Sequence, residues 1–141
     1  MTLRDRHVCI TGGSSGIGLA IAKQAATEGA KLSLIARDMA KLEQARTAIL
    51  EVAPTCLEIA VASADVSIEA EVLAALNHVE SSHGPIDVLI TSAGVAQAGY
   101  FEDILTADFE RLMAVNYFGT LYPIKAVLPA MKSRGHGTVL L

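Results

Sequence analysis

Short runs of consecutive apolar residues alternate along the chain with longer stretches in which apolar residues recur every three or four positions. His7–Thr11 is a run of the first kind. It gives way to glycines and then to Ile17, Ala20, Ile21 and Ala25 at helical spacing, closed by Gly29. Leu32–Ala36 is a second β-type run, and Asp38 stands where an N-cap belongs, ahead of a helix with Leu42, Ala45, Ile49 and Leu50 on one face. Leu57–Ala62 predicts a third strand. Ser67 is placed to cap the next helix, Glu69 and Glu71 suit the positive end of its dipole, and Gly84-Pro85 follows its end. Ile86–Thr91 predicts strand four. A Gly/Ala-rich loop leads to one long helix, expected from about Thr106 to Met131, and a further apolar run opens at Thr138.

Strands that are continuously apolar, rather than alternating, are covered on both faces. Alternating with helices, they form right-handed βαβ units and a parallel sheet. The expected fold class is α/β, a Rossmann-type doubly wound parallel sheet, with residues 1–141 as one dinucleotide-binding domain. The chain stops at Thr138-Val139-Leu140-Leu141, and a bare apolar strand leaves an unpaired, sticky edge. A chain truncated in strand five is the reading that follows.

Bulk properties narrow the function. The 141 residues hold one domain with a real core, and 52% hydrophobic with 18% charged residues excludes a disordered chain. A net charge of −4 without any Lys/Arg run argues against nucleic acid as a partner. Cys9 and Cys56 sit in apolar runs without metal-ligand spacing and read as small buried hydrophobes. His7, His78, His83 and His136 are scattered over expected surface or element-end positions, so no metal site is expected. No apolar stretch reaches the roughly 18 residues of a membrane span, and Met1–Arg6 is too short and polar for a signal peptide. A soluble cytoplasmic protein is the default.

The chemistry lies in Thr11-Gly12-Gly13-Ser14-Ser15-Gly16-Ile17-Gly18, between strand one and its helix. Glycines there allow a tight turn, close backbone approach to a pyrophosphate, and helix–strand packing without an intervening Cβ. The free N–H groups and the positive end of the helix dipole then face the phosphates. Gly-Gly and Ser-Ser-Gly also make ordinary turns, but the strand–turn–helix context points to a dinucleotide. An NAD site places an acid about 20 residues further on for the ribose 2′-hydroxyl. Ala36 and Arg37 stand at that strand end instead, with Lys41 one turn along. A guanidinium pairs well with a 2′-phosphate, which points to NADP(H). Against this, both cations can be solvated helix-start residues, with Asp38 placed to neutralise Arg37. Asp65 is placed to accept from an adenine amino group with Val66 against the ring, or to serve as a turn or cap. Asn116 falls on a helix face with Phe109, Met113, Thr120, Ile124 and Val127, which points it toward the core. There a buried amide ties helix to sheet or supports a proton relay. Pro123 is expected to kink that helix or interrupt its hydrogen bonding.

TGGSSGIG at 11–18, ARD at 36–38, ADV at 64–66, SAG at 92–94 and VNYFGT at 115–120 together resemble the short-chain dehydrogenase/reductase superfamily over essentially the whole chain. The stretch from Phe101 to Gly135 most resembles its 3-ketodihydrosphingosine (3-dehydrosphinganine) reductase branch, which passes hydride from NADPH to a keto lipid. The resemblance implies that Gly12, Ser14, Ser15, Gly16, Ile17 and Gly18 form the phosphate loop. It makes Arg37 and Lys41 binders of the 2′-phosphate and Asp65 and Val66 contacts of adenine, while Asn116 matches the family's catalytic asparagine. Two departures stand out: Ser92-Ala93-Gly94 replaces the usual Asn-Ala-Gly, and the family's catalytic Ser and Tyr-x-x-x-Lys have no counterpart. Tyr100, Tyr117 and Tyr122 all lack a lysine four residues on. The expectation is an NADPH-dependent reductase of a keto lipid or another ketone, homo-oligomeric when full length, whose present span grips cofactor without turnover. A eukaryotic member of that branch would work at the cytosolic face of the endoplasmic reticulum membrane. The competing reading is a non-catalytic nucleotide-binding or dimerisation module.

Overall fold

The computed structural model describes residues 2–56 and 58–141. Five strands, β1 (His7–Thr11), β2 (Lys31–Ala36), β3 (Ile59–Ser63), β4 (Val88–Thr91) and β5 (Thr138–Leu140), form one sheet in the order β3-β2-β1-β4-β5. Every neighbouring pair is parallel. This is the doubly wound α/β architecture expected of the pattern. Helices α1 (Gly16–Thr27) and α2 (Met39–Val52) cover one face, and α3 (Glu69–His83) and α5 (Gly119–Arg134) the other.

The continuous apolar runs have the cause assigned to them. In β1, Val8 and Ile10 pack toward α1 and α2 while Cys9 packs toward α3 and α5. All five β1 residues are buried, so neither face tolerates a polar alternation. Truncating a side chain as enclosed as Leu34 would cost roughly 2–5 kcal/mol. Both cysteines are free and buried, and burial pushes the Cys9 thiol up to about 12. Among the described residues, no helix is long and apolar enough to cross a membrane.

Several boundaries move. β3 begins at Ile59 rather than Leu57, a position outside the described residues, and runs one residue further, to Ser63. β4 begins at Val88 rather than Ile86, which is buried but precedes the ladder with β1 and β5. Ser67 does not cap α3: Ile68 occupies the N-cap, and the Ser67 hydroxyl is spent on Asp65 at 2.6 Å.

The long helix is not continuous. α4 (Thr106–Leu112) passes into a π-helical segment, Met113–Phe118, before α5 begins at Gly119. The Gly119 N–H reaches back five residues to the Ala114 carbonyl, and Thr120 Oγ donates to the Asn116 carbonyl at 2.9 Å. Pro123, buried inside α5, has no N–H to return to the preceding turn, so the interruption expected of it coincides with a widened ladder just upstream. The wide turn also rotates the buried stripe. Val115, Gly119, Pro123, Val127 and Met131 face the sheet at steps of four, whereas Met113 and Asn116 are exposed.

His7 stands at an element end, the first residue of β1, but is not at the surface, being only 1% exposed. Its ring fills the space where β1 begins. Nδ1 meets the Gly84 carbonyl at 2.8 Å, and Nε2 lies 2.7 Å from Ser33 Oγ. A carbonyl only accepts, so Nδ1 carries the proton and Nε2 accepts from the serine. The neighbouring His83 ring stacks edge-on at 5.3 Å and is itself mostly buried, whereas His78 and His136 are exposed as expected. Burial lowers the His7 pKa, the Gly84 bond opposes that, and His83 adds to it. Below the ordinary imidazole value the unfolded chain therefore takes up a proton that the folded one refuses. The stability this provides is complete at neutral pH and drains as pH falls toward the depressed folded value. Thermal denaturation should show His7→Phe about 1–3 kcal/mol less stable at pH 7.5, with Ser33 and the Gly84 carbonyl left unpaired. Between pH 7.5 and 5.5 the variant should lose less stability than the parent. Parallel losses in the two proteins would refute the assignment.

Candidate functional site

The strand order reverses between β1 and β4, since β2 and β3 lie to one side of β1 while β4 and β5 lie to the other. Connections that leave a parallel sheet in opposite directions open a crevice beyond the carboxyl ends of the strands. A cleft of about 360 Å³ lies at that point. Its walls are the turns after β1 (Gly12, Ser14, Ser15, Gly16, Ile17), β2 (Ala36, Arg37, Asp38, with Lys41) and β3 (Ala64, Asp65, Val66). Ser92, Ala93 and Gly94 after β4, and Val115 from the π-helical segment, complete it. Of the residues that the resemblance assigns to the phosphate loop, the 2′-phosphate, the adenine and catalysis, all but Gly18 and Asn116 are part of the lining.

The glycines divide by what surrounds them. At Gly12, φ is +72°, and a Cβ would stand 2.6 Å from the backbone nitrogen of Ala93. A Cβ on Gly18 would collide with the Gly12 carbonyl. Backbone thus touches backbone where α1, β1 and the β4 turn converge, which is why Gly18 sits behind the cleft rather than in it. Gly16 differs: its φ is +54°, yet nothing lies within 4 Å of a Cβ there. Its freedom serves the turn, and the space in front of it belongs to the cleft. Ser15 precedes α1 in extended conformation without a side-chain capping bond, and the first turn of α1 carries no acid. The positive end of the helix and its free N–H groups therefore face the cleft uncompensated. Ile17 stands at the rim, 75% exposed.

At the end of β2 the Arg37 carbonyl accepts from Ser63 Oγ at 2.8 Å, which holds the strand ends together. Among the described residues, no carboxylate lies within ion-pair distance of its guanidinium. Asp38, weighed as a neutralising neighbour, instead caps α2 by accepting from the Lys41 N–H at 3.1 Å. At the end of β3, Asp65 Oδ1 accepts from the Ser67 N–H at 2.9 Å and from its hydroxyl at 2.6 Å. The hydroxyl is the main reason the carboxyl titrates below its ordinary value; partial burial opposes this, and the Ser67 N–H and the Arg37 charge add to it. The Asp65 N–H is taken by Glu71 at 2.8 Å, so the turn is pinned from both sides. Among the described residues Oδ2 has no hydrogen-bond partner and remains free to accept.

Asn116 is exposed, not core-facing, because the π-helical turn carries it round the helix. Its amide still makes a tie. Oδ1 accepts from the Val95 N–H and Nδ2 donates to the Val95 carbonyl, both at 2.9 Å. This two-point clamp fixes the loop after β4 to the π-helical segment. One N–H and the remaining lone pairs stay available. Sequence reasoning missed Val115 and Ala64 as walls and Val95 as the partner of Asn116. Their signals were membership of the ADV and VNYFGT motifs, for Ala64 and Val115, and adjacency to the Ser92–Gly94 turn, for Val95.

The model of the short chain dehydrogenases matches residues 6–141. The 3-ketodihydrosphingosine reductase of Bos taurus is 39% identical over 142 residues, covering 99% of this chain and 43% of that protein. A 3-dehydrosphinganine reductase of Arabidopsis thaliana is 46% identical over 132 residues, covering 94% of this chain and 39% of its own length. The chain thus spans less than half of these relatives. Among solved structures, levodione reductase superposes with a TM-score of 0.92 at 36% identity, covering 97% of this chain and 53% of the other. L-Sorbose reductase from Gluconobacter frateurii, complexed with NADPH and L-sorbose, gives 0.88 at 28%, covering 99% and 53%. NAD+-bound xylitol dehydrogenase gives 0.90 at 28%, with the same coverage. The chain belongs to the short-chain dehydrogenase family.

Proposed function

We propose that residues 1–141 form the dinucleotide-binding domain of an NADPH-dependent reductase that acts on a keto group, with 3-ketodihydrosphingosine as its substrate. The observation that carries this reading is the convergence, on one cleft at the reversal of the sheet, of a bare helix terminus, an arginine without a carboxylate partner and a pinned aspartate with one free oxygen. These features fit the parts of such a cofactor. The phosphate loop from Gly12 to Ile17 receives the pyrophosphate on backbone N–H groups, with Gly16 leaving room for its approach and Gly18 letting α1 close on β1. Arg37 forks onto the 2′-phosphate and Lys41 adds a second cation one turn along. Asp65 stays ionised and accepts from the adenine amino group, with Val66 against the ring.

When bound, the nicotinamide supplies the hydride. The chain's own residues bind and orient. By clamping Val95, Asn116 holds the loop after β4 in place, and its free N–H and lone pairs are positioned to support a proton relay through water. The 141 residues contain no Tyr-x-x-x-Lys, so this span is expected to bind NADPH without reducing a ketone. The sphingoid substrate is supported by the names of the cattle and Arabidopsis relatives, whereas the likeness to levodione reductase and L-sorbose reductase favours another ketone. Assaying a protein extended to the length of the cattle relative on 3-ketodihydrosphingosine, levodione and L-sorbose separates these readings. Turnover of the sphingoid base supports the first, and turnover of the other ketones alone rejects it.

Cofactor fluorescence should show tighter binding of NADPH than of NADH. Arg37→Ala should weaken NADPH about ten- to a hundredfold through loss of a charge-assisted pair, leaving NADH nearly unchanged. Equal affinities in the parent protein would reject the 2′-phosphate site.

Two glycine variants separate binding from folding. Gly16→Val should abolish NADPH binding while lowering stability by only about 1–2 kcal/mol, the strain of a left-handed residue in open space. Gly12→Val should unfold the protein or lower its Tm far more, since the side chain meets the Ala93 backbone. Normal NADPH binding by Gly16→Val would reduce the loop to an ordinary turn.

A further inference from the structure

Gly119 stands where the π-helical segment passes into α5, and its backbone gives no reason for glycine: φ is −63° and ψ −20°, helical values open to any residue. Glycine is among the poorer helix formers, so another constraint must hold it there. That constraint is Val66. A Cβ on Gly119 would lie 2.7 Å from Val66 Cγ2, 3.1 Å from Val66 Cβ and 3.3 Å from the Val66 carbonyl oxygen. Contacts this short require the valine to move.

Val66 has little freedom to do so. It is 5% exposed and lies between Asp65 and Ser67, which are bonded to each other through the Asp65 carboxylate. Glu71 holds the Asp65 N–H from α3. With the backbone pinned on both sides, the way open to a displaced isopropyl group is the cleft that Val66 lines.

We propose that Gly119 is a positioning residue for the adenine end of the cofactor. By carrying no side chain it lets Val66 withdraw from the cleft far enough to admit the base, and so sets the width of the slot beside Asp65. The π-helical segment then serves both halves of the site at once: Asn116 clamps the loop after β4, and three residues later Gly119 backs the adenine wall. This inference rests on the nucleotide reading given above.

The test uses adenosine 2′,5′-bisphosphate, which carries the adenine end alone, and NADPH, with dissociation constants from titration calorimetry. Gly119→Ala should remain folded by circular dichroism and weaken both probes about tenfold or more, the penalty of an overpacked contact expressed as affinity. Val66→Ala alone should weaken them only a few-fold, about the loss of one apolar contact. In the double variant the shortest overlap, with Cγ2, disappears and only the milder contacts with Cβ and the carbonyl oxygen remain, so its affinity should return most of the way to that of Val66→Ala, a rescue that no general loosening of the helix would produce. Unchanged binding by folded Gly119→Ala, or additive losses in the double variant, would overturn the proposal. An unfolded Gly119→Ala would overturn it too, because the displaced valine then has no path into the cleft. If the unmodified protein binds neither probe, the nucleotide reading itself fails.

Discussion

Everything at the carboxyl end of the sheet depends on segments approaching across glycines that carry no side chain. Gly18 of α1 rests on the Gly12 carbonyl, Gly12 rests on the Ala93 backbone, and the bare backbone of Gly119 rests on the Val66 side chain. These three approaches draw α1, the turns after β1, β3 and β4, and the head of α5 together. Side chains of ordinary size would spread them apart by the width of a methyl group or more, and packed interiors do not absorb such a change locally. The cleft is what remains when these elements come as near as backbone allows. The phosphate loop is therefore as much a packing solution as a binding one: the residues that bring the helix in are interleaved with those that leave its N–H groups bare.

The strands were legible because the sheet is covered on both faces. Val8, Cys9 and Ile10 have no polar interruption, and the same holds for Leu32–Ile35 apart from Ser33, whose hydroxyl is needed by His7. The glycine loop was legible because its requirements are local. Residues whose surroundings come from distant segments were not. His7 reads as a surface or element-end residue, and its burial at the start of β1 shows only once Gly84 and Ser33, 77 and 26 positions away, supply its two partners. Ser67 has the identity of a cap but stands one residue ahead of the N-cap, Ile68, and the carboxylate of Asp65 accepts its hydroxyl.

Asn116 shows how a single helical irregularity defeats periodic reasoning. Counting at 3.6 residues per turn puts it on one face with Phe109, Met113 and Thr120, and the count fails inside the segment where hydrogen bonds span five residues. The buried stripe runs instead through Val115, inside that segment, and then Gly119, Pro123 and Val127. Nothing in residues 113–118 announces a wide turn, although Pro123 marks that the ladder must break nearby. The reward of the irregularity is position: a polar amide that would have been buried against the sheet emerges beside the loop it clamps. Such insertions recur at functional sites because they re-aim a side chain without dismantling the helix.

The charges along the cleft carry a different consequence. Arg37 and Lys41 are matched there by Asp38 and Asp65, and the chain as a whole is acidic. Seen from more than a Debye length, about 8 Å at physiological salt, the mouth is close to neutral and exerts little pull on a polyanion. Discrimination between a phosphate and a hydroxyl is thus deferred to contact, where the guanidinium fork and the helix terminus act at hydrogen-bond range. A nucleotide would arrive at an ordinary diffusive rate, barely sensitive to ionic strength, and its selectivity would reside in how long it stays.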